Sequence, residues 1–214
     1  VVPVDVDCRN VPGGDKLGKN LGRVAEATAS YLKSPERRGL KVYDQWGTPY
    51  RPADDGVVIG YDGRFSSKNF ALYVARVLED LGVPACVSSK MVPTPALSFA
   101  VREMGAAAGV MITASHNPSE YNGFKVKLES GASAPPVVTD RIEANLPDNS
   151  PQVDQGLEVE RVDITSSYVD ALGEIVDEDV ITKNPVTAVI DSMYGSAQGL
   201  TAEVLDKFGV KSVE

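Results

Sequence analysis

Short apolar runs alternate along this chain with amphipathic stretches of helical period. Leu17, Leu21, Val24, Thr28 and Leu32 recur at spacings of three and four, which predicts a helix with Asp15 as its cap. A polar stretch bearing Pro and Gly follows, with a candidate hairpin at 44–49. Val57-Val58-Ile59-Gly60-Tyr61 reads as a buried strand. Phe70, Val74, Val77, Leu78 and Leu81 predict the next helix, with Ser66 or Ser67 as cap and Gly82 as its stop. Residues 85–87 read as a strand, and Thr94-Pro95 opens a helix carrying Leu97, Ala100, Val101 and Met104. A strand at 108–112 comes next. Phe124, Val126 and Leu128 then alternate with Lys125 and Lys127, which puts both lysines on the face opposite the apolar residues.

Strands alternating with helices in this way predict an α/β sheet covered by helices. Residues 147–163 are polar and acidic, carry two prolines and lack periodicity, so they read as a linker between a domain at 1–146 and the beginning of a second α/β unit at 164–214. That unit offers a helix with Tyr168, Leu172 and Val176, a strand at 186–190, and a helix with Leu200, Val204 and Leu205. The chain opens on Val and closes on what reads as a starting strand, so a fragment of a longer protein is expected.

Composition narrows the class without naming a function. The 214 residues are 43% hydrophobic and 24% charged, which excludes a disordered chain, a collagen and a coiled coil. A net charge of −9 argues against nucleic-acid binding. The apolar runs are far shorter than the ~20 residues a membrane span needs. Cys8 and Cys86 make neither a disulfide framework nor a metal pair, and no secretory leader opens the chain, so a cytoplasmic setting is expected.

The chemistry concentrates in residues 113–125, which hold hydroxyls, amides, a lysine and the chain's single histidine. They follow the strand at 108–112, and ligands of open α/β sheets bind outside the carboxyl ends of strands. Asn117-Pro118 and Asn122-Gly123 are turn formers that bend the loop tightly and expose Ser115 among backbone amides. Three readings follow: a polar surface loop, an acyl-transfer nucleophile, or a phosphate-handling loop. The second is weak, because Ser115 lacks a G-x-S-x-G setting and a histidine at the next position usually points away from it.

Residues 113–118, Thr-Ala-Ser-His-Asn-Pro, with Tyr121-Asn122-Gly123-Phe124-Lys125, resemble the phosphoserine loop of the α-D-phosphohexomutases, the phosphoglucomutase/phosphomannomutase family. Gly60-Tyr61-Asp62-Gly63-Arg64-Phe65-Ser66-Ser67, Pro93-Thr94-Pro95-Ala96 and Asp191-Ser192-Met193-Tyr194-Gly195 resemble further family segments in the same order. The resemblance implies a three-layer α/β/α domain with a mixed sheet, followed by the start of a similar domain. It implies that Ser115 carries a phosphoryl group between the O1 and O6 positions of a hexose phosphate, through a hexose bisphosphate intermediate. It makes Lys125 a candidate acid/base or charge stabiliser and places His116 and Asn117 beside the reacting centre. Arg64, with Asp62, organises the loop. Mg²⁺ is implied as cofactor, bound through the phosphate on Ser115, with its other ligands outside this chain. No nucleic acid or membrane partner is implied.

The family's opening Gly-Thr-Ser-Gly-x-Arg-Gly segment, Asp-Gly-Asp-x-Asp metal loop, sugar-specificity loop and distal phosphate loop are not found in these residues. The fragment alone is therefore expected to be inactive. A non-catalytic sugar-phosphate-binding or protein-interaction module derived from the family is the alternative.

Overall fold

The computed structural model describes residues 2–7, 15–40, 50–119 and 121–214. The candidate hairpin at 44–49 and Cys8 lie outside the described residues. The strands are β1 (Val2–Asp7), β2 (Val57–Tyr61), β3 (Ala85–Ser88), β4 (Ala108–Ile112), β5 (Tyr121–Lys127), β6 (Glu160–Val162), β7 (Thr187–Val189) and β8 (Lys211–Val213). The helices are α1 (Asp15–Lys33), α2 (Ser67–Asp80), α3 (Thr94–Glu103), α4 (Pro136–Ala144), α5 (Ser166–Leu172), α6 (Glu178–Lys183) and α7 (Leu200–Lys207). Six strands form one mixed sheet in the order β1-β5-β4-β2-β3-β6. β4, β2, β3 and β6 run parallel, while β5 is antiparallel to both β4 and β1.

Both sheet faces are covered. Val57, Ile59 and Tyr61 of β2 point into a large core closed by α1, α2 and α4. Val58, Cys86 and Met111 point the other way, into a smaller core under α3. This is the three-layer α/β/α arrangement with a mixed sheet. The period of two decides which core each side chain joins. Gly109 lets α3 come close: a Cβ there would lie 2.4 Å from Val101 Cγ2. Gly82 and Gly105 have φ of 70° and 65° just after α2 and α3, where each helix stops.

Two features depart from the pattern. Ser66 occupies the cap position of α2 with φ 61° but makes no side-chain capping bond; Ser67 turns inward instead. Residues 147–163, read as a linker, run across the first unit. Arg23 donates to the carbonyl of Pro147, Tyr73 Oη lies 3.1 Å from Ser150 Oγ, and Arg76 donates to the carbonyl of Leu157. Val153 and Val159 pack against the large core, and β6 then pairs with β3 as an edge strand of the same sheet.

Beyond β6, Asp163 accepts hydrogen bonds from the Thr165 and Ser166 amides and hydroxyls at the start of α5. The Ser166 hydroxyl, then that of Thr165, holds its carboxyl well below the usual carboxylate range. β7 and β8 form a separate parallel pair. Among the described residues no helix is long and apolar enough to cross a membrane.

Candidate functional site

The loop after β4 is set by its backbone. Thr113 N–H donates to the Gly123 carbonyl across the β4–β5 pair at 2.9 Å. A Cβ on Gly123 would sit 2.8 Å from the Thr113 carbonyl oxygen, so only glycine permits this approach. Ser115 N–H donates to Thr113 Oγ1 at 3.0 Å, and Ser115 itself takes φ 58°, the left-handed region. A non-glycine residue held there is uncommon and clusters at functional sites. The conformation leaves Ser115 exposed. It also brings His116 Nδ1 to 3.3 Å from Ser115 Oγ, although neighbouring side chains usually diverge.

Arg64 clamps this loop from the end of β2. Its guanidinium donates to the carbonyls of Pro118 at 2.7 Å, Tyr121 at 3.0 Å, Ser115 at 2.8 Å and Asn117 at 2.6 Å. Nε pairs with Asp62 Oδ2 at 3.2 Å. Among the described residues the peptide bonds are trans, so carbonyl and N–H of each unit point in opposite directions. The His116 and Ser119 amides therefore face away from Arg64. Outward-facing amides beside an exposed hydroxyl suit an anion.

Ser115, His116, Asn117, Asp62 and Arg64 are brought together along one cavity of about 560 Å³. Thr94 and Met111 lie in its wall, and Met193, Tyr194, Gly195 and Ser196 of the second unit form the other side. Met193 and Tyr194 are also left-handed, at φ 44° and 58°, so both walls are bent loops.

Lys125 is half-buried on β5 and does not line that cavity; its partner across the sheet, Met111, does. Lys127, one pleat further, is buried opposite Gly109, with Nζ 3.1 Å from Ser133 Oγ. Burial pushes its ammonium below the ordinary lysine range, and the charge of Lys125 adds to the effect. The two lysines share a face, as alternation predicts, but only one of them is near solvent.

Sequence reasoning did not single out Ser67 and Asn122. Asn122 Nδ2 donates to Ser67 Oγ at 2.7 Å, and Ser67 donates to Asp62 at 2.8 Å. The signals were present in the Ser-Ser and Asn-Gly pairs, which read equally well as a cap and a turn.

Mg²⁺ prefers near-octahedral oxygen coordination that includes carboxylates. Among the described residues no group of three or more His, Cys, Asp or Glu side chains converges to hold a metal ion. Ser115 contributes one neutral oxygen, so these residues alone do not build a magnesium site.

The chain is similar to known proteins in sequence and in fold. Residues 50–152 match the family model described as phosphoglucomutase/phosphomannomutase, alpha/beta/alpha domain I. A phosphoglucomutase from Staphylococcus saprophyticus is 34% identical over 168 residues, covering 71% of this chain and 29% of that protein. A probable phosphomannomutase from Haemophilus influenzae is 34% identical over 198 residues, covering 89% of this chain and 37% of that protein. A crystal structure of a putative phosphomannomutase from Thermus thermophilus superposes with a TM-score of 0.75 at 31% identity, covering 92% of this chain and 41% of that one. The chain thus spans well under half the length of each of these relatives.

Proposed function

We propose that this chain, which belongs to the α-D-phosphohexomutase family, supplies the phosphoryl-carrying loop of a sugar-phosphate mutase. The observation that carries the reading is Ser115: left-handed, exposed on the cavity, its loop carbonyls turned onto Arg64 and its neighbouring amides turned away. Phosphoryl transfer asks for positioning and charge stabilisation more than for covalent help from the protein. A rigid loop that presents one hydroxyl among amides meets that need.

In this reading phosphorylated Ser115 meets a hexose monophosphate. The Ser115 Oγ–P bond breaks as a bond forms between phosphorus and a free sugar hydroxyl, giving the bisphosphate. The hydroxyl proton ends on Ser115 Oγ by way of an acid/base group, for which Lys125 is the candidate. The bisphosphate turns over and its other phosphate returns to Ser115 by the same exchange. His116, at 3.3 Å from Ser115 Oγ, and Asn117 line the path of the transferred group. A phosphate on Ser115 would give Mg²⁺ one oxygen ligand, and the charge neutralisation that the ion would supply would need further ligands from outside these residues. A cytoplasmic setting accords with a soluble sugar-phosphate substrate.

The test uses the full-length polypeptide with a hexose 1-phosphate and a trace of the bisphosphate. Phosphate mapped to Ser115 together with interconversion supports the reading. Binding of hexose phosphate without phosphate uptake or turnover supports the non-catalytic module instead.

A further inference from the structure

Two buried side chains that do not line the cavity are tied by hydrogen bonds to the setting of Ser115. Asn122 Oδ1 accepts the N–H of Gly123 at 2.9 Å, which turns its Nδ2 towards Ser67 Oγ at 2.7 Å. Ser67 therefore accepts on that side and spends its own hydrogen on Asp62 Oδ1, at 2.8 Å. Asp62 also accepts the Arg64 backbone N–H at 3.1 Å and pairs with Arg64 Nε at 3.2 Å. Arg64 in turn holds the Ser115 carbonyl. On the other side, Gly123 accepts Thr113 N–H, and Thr113 Oγ1 accepts Ser115 N–H. The bonds close a ring that begins and ends at Ser115. Every donor direction between Asn122 and Asp62 is dictated by its neighbour.

We propose that Ser67 and Asn122 are positioning residues for phosphoryl transfer, acting on Ser115 through Asp62 and Arg64. The proposal rests on the reading of Ser115 as phosphoryl carrier. Neither residue can reach a substrate: Ser67 is fully buried and Asn122 nearly so, and both hydrogen-bond to internal groups. They reach the chemistry only through the ring: by way of Asp62, which orients the Arg64 guanidinium on the Ser115 carbonyl, and by way of Gly123 and Thr113, which hold the Ser115 N–H. A serine hydroxyl displaced by an ångström transfers its phosphoryl group poorly even when the substrate still binds.

The experiment compares Ser67→Ala, Asn122→Asp and their double variant in the full-length polypeptide. Ser67→Ala deletes the central link. Asn122→Asp keeps the shape but replaces a donor by an acceptor, so Ser67 turns its hydrogen away from Asp62. Each should lower kcat by about 10- to 100-fold, the scale of a small misplacement of the reacting group. KM should stay within about twofold, since the lost interaction matters only during transfer. The double variant should be no slower than the slower single one, because both cut the same ring. A purely structural role would lower the melting temperature and leave kcat per folded molecule unchanged. An unchanged kcat, a loss confined to KM, or additive effects would overturn the proposal. Where Ser67→Ala does not fold, Asn122→Asp decides alone. Wild-type protein is mapped for phosphate in parallel. Phosphate on wild-type Ser115 with unaltered variants overturns only this proposal; no phosphate on wild-type Ser115 overturns the carrier reading and this proposal with it.

Discussion

The two α/β units treat their apolar strand residues in opposite ways. In the first, Ile59 is fully buried, with helices on both faces of its sheet. In the second, Val189 on the two-stranded β7–β8 pair is 85% exposed, and Val186, Val213 and Ile175 are exposed as well. A pair of strands with uncovered apolar faces is marginal by itself. The first unit thus holds its loop, Arg64 and Ser115 on a packed frame. The second contributes Met193 to Ser196 as a wall whose own support is slight among the described residues. Within these residues the packed frame and the candidate chemistry lie on the same side of the cavity.

Substitutions at five positions sharpen or break this contrast; Val189 serves as the control for Ile59, and the rest run from the largest effect down. Ile59→Ala should destabilise the first unit by about 2–5 kcal/mol, the cost of a core cavity. Val189→Ala, at an exposed site, should stay within about 0.5 kcal/mol. Equal shifts in denaturant midpoint would erase the distinction between the units. Arg64→Ala should leave four loop carbonyls without their clamp and lower turnover by about 100-fold. Arg64→Lys should recover little of that loss, because an ammonium cannot span a fork of carbonyls. Activity near wild type in either variant would detach the clamp from function.

Asp163→Ala should cost about 1 kcal/mol, the scale of a helix-end cap. Its carboxyl lies below the ordinary range in the folded chain because it accepts the Ser166 and Thr165 hydroxyls. Its stabilisation is therefore complete above the unfolded value of about 3.9 and is lost as pH falls below it. Asp163→Asn should flatten that acid limb in melts recorded against pH; an unchanged limb would refute the assignment. Lys127→Met should leave stability equal or slightly higher, since it removes an ammonium disfavoured by burial while filling the space above Gly109. A marked loss of stability would show that the bond to Ser133 outweighs burial.

Much of the first unit was legible in the sequence, for reasons that also explain what was not. β2 and β4 are apolar throughout because helices cover both faces, and α1 to α3 carry strong stripes. β6 was hidden: its three residues, Glu160, Arg161 and Val162, form an edge strand with little to bury. α4 buries only Val138 and Ile142, too few to mark a helical face. At the site, the dense polar motif marked Ser115, His116 and Asn117 as candidates, while Asp62 and Arg64 came from the resemblance of residues 60–67 to a family segment. Alternation gave the face of Lys125 and Lys127 but not their depth, because depth depends on Gly109 and Ser133 from other parts of the chain. The ring through Ser67 and Asn122 joins residues 55 apart in sequence, which no local spacing reveals.

The reading stands or falls on whether Ser115 carries the phosphoryl group. The most direct test incubates the full-length polypeptide with a hexose bisphosphate and maps phosphate by peptide mass spectrometry, beside Ser115→Ala as control. Phosphate should appear on Ser115 and not on the variant, and the variant should lose mutase turnover with its melting temperature retained. Phosphate on Ser119 instead, or turnover near wild type in Ser115→Ala, would contradict it.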